Sequence, residues 1–344
     1  MSHRLVGMIA LAATLVVLAS QTQVASSQPL GEGEAASLEH EPIRVLFVRG
    51  ADRSGGFLEG RDDRSRTEQL ADITNESTRR GNHGWFEFAE SLRAGGFVVE
   101  QIIEPLEAGA PPEGQTEGAP VAFETMDLDR YAVIVMGSNN AVYKPAQIDA
   151  IERYVRGGGS VLFISDANFG SDWPDASNSD QQFLDRFGWT MQQDQGTYAL
   201  RRADGNFMAG DHSILAGVDA FDGEGVSPIV VPEADIKGVR TTLVVRARSG
   251  AQTRNNDTEA GRGSSRAVGP RDAALCVARV GRGRIAGHLD RNTFFNLNGA
   301  GTDINRFDNR AYAINLIRFL AFGDGDSRGD ADGKDADSPD PPAG

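Results

Sequence analysis

Residues 157–170 read GGGSVLFISDANFG, an apolar run between a glycine cluster and a polar segment. The aliphatic and aromatic residues of SVLFIS (160–165) are typical of a strand buried on both faces of a parallel sheet. Ser165, Asp166 and Asn168 stand at its end. Because sites in open α/β sheets form beyond the carboxyl ends of strands, this stretch predicts both a fold and a candidate site.

Outward from this strand, strand-like and helix-like segments alternate. Three more apolar runs predict strands: IRVLFV (43–48), FVVEQII (97–103) and YAVIVMG (131–137). Two stretches with apolar residues at helical spacing lie between them, GWFEFAESLRAGG (84–96) and PAQIDAIERYVRGGG (145–159). Four strands separated by helices or long crossovers predict an α/β fold with one parallel sheet.

The C-terminal half predicts a hairpin and a last helix. TTLVVRA (241–247) and ALCVARV (274–280) are strand candidates, and ARVGRGRIAGHLD (278–290) predicts a hairpin with glycines in its turn. In FDNRAYAINLIRFLAFG (307–323), Asp308 is the expected N-cap. The residues expected on the buried face of this helix are Ala311, Ile314, Ile317 or Arg318, and Leu320.

The two ends of the chain differ from the middle. Residues 1–27 have one arginine, an apolar stretch and then small residues, which predicts a secretory signal peptide and export to the periplasm or the exterior. A retained membrane anchor is the alternative, although a spanning helix needs roughly 20 apolar residues. Residues 323–344 contain seven Asp and no large apolar side chain, which predicts a disordered acidic tail. The domain is therefore expected at 43–322.

The composition of the chain limits the classes of partner that it is expected to bind. The formal net charge of -15 repels phosphate backbones, which argues against nucleic-acid binding. The lone cysteine, Cys276, cannot form an internal disulfide and is predicted to be a small buried hydrophobe. A small molecule or a carbohydrate is the expected partner. The sequence names no cofactor and leaves metal dependence and oligomeric state open.

Polar loops follow three predicted strands at the same edge of the sheet: residues 49–60 after the first strand, 137–140 after the third and 165–172 after the fourth. Their convergence predicts a binding cleft, because carboxyl ends of parallel strands meet there. The alternative is that these residue types only form solvated turns. The candidate ligand-binding residues are Ser138, Asn139, Asp166, Asn168, Asp290, Arg291 and Asn292.

The order of these motifs resembles the ThuA-like branch of the class I glutamine amidotransferase-like superfamily. The resemblance covers roughly residues 43–323, and its most specific parts are YVRGGGSVLFISD (154–166) and GRGRIAGH (281–288). It implies a three-layer, flavodoxin-like parallel sheet with a late β-hairpin. The superfamily includes amidotransferases, peptidases, sugar-related proteins and domains without catalysis, so the resemblance implies no particular chemistry.

The nucleophile position departs from the amidotransferase pattern. That mechanism needs a cysteine at the turn after the elbow strand, where this chain has Ser165 and Asp166, so thiol-dependent amidotransfer is not expected. A serine version would use Ser165 with His288 as its base, but no glycine flanks Ser165 as in a nucleophile elbow.

Two functional hypotheses follow. The first is an exported, non-catalytic or ligand-binding ThuA-like protein, related to carbohydrate. The second is a hydrolase that uses Asp166, His288 and Asp290, with or without a divalent metal. His288 and Asp290 also have a purely structural interpretation. In that interpretation Asp290 and Asn292 cap the following segment, and hydrogen bonds hold the His288 ring in place.

Overall fold

The computed structural model describes part of the chain. The described ranges are 42–50, 71–76, 83–105, 119–139, 141–165, 181–191, 197–236, 238–248, 269–296 and 302–324. The predicted signal peptide, Asp166, Asn168 and the tail from residue 325 lie outside them, and only the backbone of Ser138 is described. No helix within these ranges is long and apolar enough to cross a membrane.

The predicted parallel strands form one sheet. They are β1 (Arg44–Arg49), β2 (Val98–Ile103), β3 (Val133–Ser138) and β4 (Ser160–Ile164), and β11 (Gly283–His288) runs parallel to β4. Their order is β2-β1-β3-β4-β11. Val45 pairs with Val99 on one side and with Val133 on the other, so β1 lies inside the sheet with both edges bonded. The predicted single parallel sheet is confirmed.

The hairpin extends this sheet with antiparallel strands. β10 (Asp272–Val280) pairs with β11, and Gly281 and Arg282 form the turn between them. The sheet continues through β8 (Ile229–Val230) to β5 (Thr190–Met191), and β9 (Val239–Arg246) also pairs with β10. β6 (Thr197–Arg201) and β7 (Ala220–Glu224) form a separate two-stranded sheet.

Helices cover both faces of the parallel strands. α1 (Phe86–Ala94) and α3 (Asn309–Phe322) bury their apolar residues in a core that includes Val45 and Phe47. α2 (Pro145–Gly157) packs in a second core that includes Leu46 and Val48. Successive residues of a strand point to opposite faces of the sheet, so β1 contributes to both cores. This three-layer arrangement confirms the flavodoxin-like fold class.

The buried face of α3 differs from the sequence-based expectation. Ala311 and Arg318 are exposed and Ile314 is partly exposed, whereas Ile317 and Leu320 are buried as predicted. Five buried residues were not expected: Asn309, Tyr312, Ala313, Leu316 and Phe319. The physical reason is that Tyr312, Ala313, Leu316, Ile317 and Leu320 form one apolar stripe at helical spacing, and this stripe packs on the sheet. The Tyr312 hydroxyl bonds to the buried His288 ring on the same side.

Asp308 precedes α3 as predicted, but its side chain does not cap the helix. Instead its carboxylate accepts hydrogen bonds from the main-chain N–H groups of Asp219 (2.8 Å) and Ala220 (3.0 Å). Asp308 therefore attaches the start of α3 to the start of β7. The N-cap prediction was right about the position and wrong about the contact.

Candidate ligand-binding site

Ser165, at the carboxyl end of β4, is only 1% exposed. Its Oγ donates its single proton to the Ser227 carbonyl oxygen (2.5 Å) and lies 3.0 Å from the His288 carbonyl oxygen, to which the Ser165 N–H donates (2.9 Å). A carbonyl oxygen cannot act as the base that a serine nucleophile requires. The Ser165 hydroxyl thus joins β4, β11 and the segment before β8.

His288, the last residue of β11, is fully buried in a chain of hydrogen bonds. Its Nδ1 lies 2.9 Å from the Tyr312 hydroxyl and its Nε2 lies 3.0 Å from Thr293 Oγ1. Thr293 Oγ1 donates its only proton to the Asp222 carbonyl (2.8 Å), so it accepts from His288 Nε2. Nδ1 is then the acceptor for Tyr312. Burial lowers the pKa of His288 to about 3, and the ring is neutral at pH 7.

Asp290 is also fully buried, and both carboxylate oxygens accept main-chain bonds. Oδ1 accepts from the N–H of Asn292 (2.9 Å) and Oδ2 from the N–H of Glu224 (2.6 Å). The Asn292 amide donates to the Glu224 carbonyl (2.9 Å). A β-carbon at Gly223 would lie 2.9 Å from Asp290 Oδ2, so a glycine is needed there. Asp290 and Asn292 therefore fix the turn after β11 to the end of β7.

These contacts agree with the structural interpretation of His288 and Asp290. The structure brings Asp290, Asn292 and the buried Arg291 together after β11. It places Asn139 elsewhere, after β3, where its amide donates to the Tyr143 hydroxyl (3.3 Å). Asn139 and the group of Asp290, Arg291 and Asn292 thus lie in two separate neighbourhoods at the carboxyl edge of the sheet, while Asp166 and Asn168 lie outside the described ranges.

A buried group of polar residues lies where β1, β2 and β3 end. We call Arg49, Asp72, Glu104, Asn139 and Tyr143 the switch-point cluster; each is 4% exposed or less. Arg49 ends β1, and one of its terminal nitrogens lies 3.6 Å from Asp72 Oδ2. Glu104 follows β2; it accepts from the Tyr143 hydroxyl (2.7 Å), and its N–H donates to the Arg49 carbonyl (2.9 Å).

Hydrogen bonds determine the charge states in this cluster. Asp72 Oδ1 accepts from the N–H of Thr74 (2.8 Å), the Thr74 hydroxyl (2.8 Å) and the Gln101 amide (3.0 Å). Burial alone would raise the pKa of Asp72, but these bonds and the Arg49 charge hold the pKa below its ordinary value. Burial and the neighbouring Glu104 raise the pKa of Tyr143 well above its ordinary value. At pH 7 Asp72 is therefore ionised and Tyr143 is neutral.

The switch-point cluster lies where the strand order of the sheet reverses. Chain connections proceed in opposite directions from β1, to β2 on one side and to β3 on the other, and ligands of doubly wound sheets bind at such a reversal. The pairing of β1 with β3 shifts here, from Val48 opposite Met136 to Arg49 opposite Ser138. Such bulges often adjoin functional sites. A β-carbon on the skipped Gly137 would lie 2.0 Å from the Trp85 ring, so this glycine lets the start of α1 pack on β3.

Sequence reasoning missed most of the switch-point cluster. Arg49 and Glu104 carried a readable signal, because each is a charged residue directly at the end of an apolar run, in strands that proved to be neighbours. Asp72 carried none, since it lies 23 positions after Arg49 in a segment without periodicity.

The remaining candidates for reactive or metal-binding groups are Cys276 and the clusters of acidic residues. Cys276 is fully buried in β10, its Sγ lies 3.9 Å from the Gly287 carbonyl, and burial raises the pKa of the thiol. The predicted small buried hydrophobe is confirmed. Within the described ranges, no group of three or more His, Cys, Asp or Glu side chains is placed to hold a metal ion.

No family model and no curated protein matches this chain. Several solved structures do match it. A ThuA-like protein from Parabacteroides merdae is 14% identical with a TM-score of 0.43, and the match covers 82% of this chain and 91% of that one. A ThuA-like protein from Bacteroides uniformis is 13% identical with a TM-score of 0.46, covering 85% and 97%. The chain resembles ThuA-like proteins. This is the resemblance predicted from the sequence.

A cytoplasmic protein from Salmonella typhimurium has a similar fold, with 16% identity, a TM-score of 0.43 and coverage of 81% of this chain and 99% of that one. These identities are low and the TM-scores are below 0.5, so no residue role or activity is transferred from any of the three. The fold assignment rests on the strand order and layers of this chain.

Proposed function

We propose that this protein is an exported, non-catalytic, ligand-binding protein with a ThuA-like fold, and that its switch-point cluster contacts a hydroxyl-bearing ligand such as a sugar. The observation that carries the non-catalytic part is the hydrogen bonding of Ser165. Its single hydroxyl proton points to the Ser227 carbonyl oxygen, with the His288 carbonyl oxygen the next nearest acceptor. Acyl transfer by a serine requires the opposite arrangement, in which the hydroxyl proton passes to a base.

The binding part is supported by the position and composition of the cluster. Burying ionised groups is costly, and a buried ion pair is often no more stabilising than apolar residues of similar volume. The Arg49–Asp72 pair therefore contributes little to stability that apolar residues would not. It lies where the strand order reverses, which is where ligands of such sheets bind. Strongly perturbed ionisable groups in such places are candidates for functional sites.

The chemistry of the cluster suits hydroxyl groups, which both donate and accept hydrogen bonds. Arg49 and Asn139 supply N–H donors, and Glu104 supplies carboxylate acceptors. Because these side chains are almost fully buried, ligand entry requires local opening at this edge of the sheet. The hydrolase hypothesis has less support, since His288, its expected base, is neutral, fully buried and hydrogen-bonded at both ring nitrogens. Glu104 also has internal bonds, from the Tyr143 hydroxyl and the Ala141 N–H (3.1 Å), but each carboxylate oxygen can accept a second bond.

Export rests on the N-terminal sequence pattern. Expression of the full chain with a C-terminal tag, followed by fractionation and N-terminal sequencing, tests it. We expect a mature protein outside the cytoplasm that begins shortly after residues 25–27. An uncleaved chain in the membrane fraction would support the retained anchor instead.

A thermal-shift screen of the wild-type protein tests binding, with neutral mono- and disaccharides, Ca²⁺ and Mg²⁺ as probes. A probe that binds the folded state raises Tm by mass action. We expect a neutral sugar to do so and Glu104→Gln to reduce the shift. Glu90→Gln is the matched control, because Glu90 is an exposed acid on α1. No shift with any sugar, or equal shifts in both variants, would contradict the proposal.

A further inference from the structure

A cavity of about 440 Å³ opens at the opposite edge of the sheet. Two of its lining residues, Ile43 and Phe97, immediately precede β1 and β2, whereas Arg49 and Glu104 lie at the carboxyl ends of these strands. The cavity is therefore separate from the switch-point cluster. Its volume falls within the range of roughly 300 to 1,000 Å³ typical of small-molecule sites.

The polar part of the cavity contains donors and acceptors. Arg318 is exposed, and no residue in the described ranges forms a hydrogen bond or an ion pair with it. Ser213 donates its hydroxyl proton to Asp324 Oδ1 (2.8 Å), which leaves the hydroxyl oxygen able to accept. The Asp324 side chain is 67% exposed, so its carboxylate can accept further bonds.

The charges around the cavity balance. The Arg318 guanidinium is positive, and Asp324 is negative. In addition, Gly95 and Gly323, which directly follow α1 and α3, line the cavity, and the C-terminal end of a helix carries a partial negative charge of about half a unit. The Arg284 guanidinium, which donates to the Leu320 carbonyl (3.4 Å) in the last turn of α3, offsets these partial charges. The negative charge of Asp324 therefore offsets the positive charge of Arg318, and the site does not favour an anionic ligand.

The apolar part of the cavity is aromatic. The rings of Phe97 and Phe322 lie 6.1 Å apart between centroids at an angle of 38°, and both line the cavity together with Phe319. Phe97 and Phe319 are almost fully buried, so the partly exposed Phe322 ring is the apolar surface that the C–H groups of a ligand can contact. A ligand that fits all these features is small, is neutral, has an apolar C–H face and has several hydroxyl groups.

We propose that this cavity, lined by Ser213, Arg318, Phe322 and Asp324, is a second binding site for a neutral, polyhydroxylated molecule about the size of one pyranose sugar. The hydroxyls bond to Arg318, Asp324 and Ser213, and the C–H face packs on the Phe322 ring. This site is independent of the function proposed for the opposite edge.

A charge series of one sugar skeleton tests the proposal. Glucose, glucosamine and glucuronate share a pyranose ring and are neutral, cationic and anionic at pH 7. Titration of each into the full-length protein, followed by NMR or calorimetry, is expected to show the tightest binding for glucose. We expect Arg318→Ala and Phe322→Leu each to raise its Kd by roughly tenfold.

Arg153→Ala is the matched control, because Arg153 is an exposed arginine on α2, the helix on the other face of the sheet. It should leave the Kd unchanged. Tighter binding of glucuronate or glucosamine, or an unchanged Kd in Arg318→Ala and Phe322→Leu, overturns the proposal, as does absence of glucose binding. If Glu104→Gln abolishes glucose binding while Arg318→Ala does not, the second site fails and the switch-point cluster stands.

Discussion

His288 is expected to make the folded state sensitive to acid, and replacing it with glutamine should remove that sensitivity. The imidazole is neutral in the folded protein, where burial lowers its pKa to about 3, and it titrates near 6.5 in the unfolded chain. Between these values the unfolded state binds one more proton than the folded state. Stability from this group is therefore complete above pH 6.5 and is lost as the pH falls toward 3.

The size of the effect follows from the two pKa values. Each pKa unit corresponds to about 1.4 kcal/mol, so acidification from pH 7 to pH 4.5 should lower the free energy of unfolding by about 3 kcal/mol through His288 alone. Carboxylates such as Asp72 add to the acid sensitivity, but they are present in both proteins. The difference between wild type and His288→Gln therefore isolates the imidazole.

Urea unfolding of wild type and His288→Gln at both pH values measures this difference. The variant should be less stable at pH 7, because it loses bonds to Tyr312 and Thr293, but its further loss at pH 4.5 should be about 3 kcal/mol smaller than that of wild type. His212→Gln is the control, with a smaller expected effect, since Asp324 opposes the lowering of its pKa by burial. Equal pH dependence in wild type and His288→Gln would refute the buried neutral imidazole, as would an NMR titration of wild-type His288 with a midpoint near 6.5.

Three further predictions concern individual residues. Ser165→Ala removes the hydroxyl that contacts two buried carbonyl oxygens and should lower the free energy of unfolding by about 1 to 3 kcal/mol in urea; an unchanged value would contradict the structural role. Gly137→Ala should lower the free energy of unfolding by at least about 1 to 3 kcal/mol, because the new β-carbon meets the Trp85 ring. Gly157→Ala is the control, since no atom lies within 4 Å of its new β-carbon, and its free energy of unfolding should stay within about 1 kcal/mol of wild type. Equal values for the two variants would refute the close contact at Gly137. Asp72→Asn should be destabilising at pH 7, and its deficit should shrink as the pH falls through the lowered pKa of Asp72, since that carboxylate stabilises the fold only while ionised; a deficit independent of pH would count against the charge.

The fold could be predicted because its signals are local. Each parallel strand is a continuous apolar run, and Pro145 and Gly157 mark both ends of α2 in the sequence as they do in the structure. The hairpin of β10 and β11 was equally clear from its glycines. The face of α3 was not, because apolar residues stand on more than one side of this helix, and only packing on the sheet shows that the stripe with Tyr312 and Leu316 is the buried one.

The site was harder to predict because its members come from distant parts of the chain. Asp290 and His288 looked like reactive groups at a strand end, and only the structure shows that Glu224 and Thr293 hold them. Arg49 and Glu104 became neighbours only when β1 and β2 paired. A sequence shows which residues end a strand, but it does not show which of their oxygen and nitrogen atoms already have partners.

Calorimetric titration of one neutral sugar, chosen as the strongest in the thermal-shift screen, into wild type, Ser165→Ala and Glu104→Gln tests ligand binding without catalysis most directly. We expect Ser165→Ala to bind within about threefold of wild type and Glu104→Gln to bind at least about tenfold more weakly at the switch-point cluster, a difference of about 1.4 kcal/mol or more. Loss of binding or turnover in Ser165→Ala, with Glu104→Gln unaffected, would restore Ser165 as the functional group and contradict the proposed function.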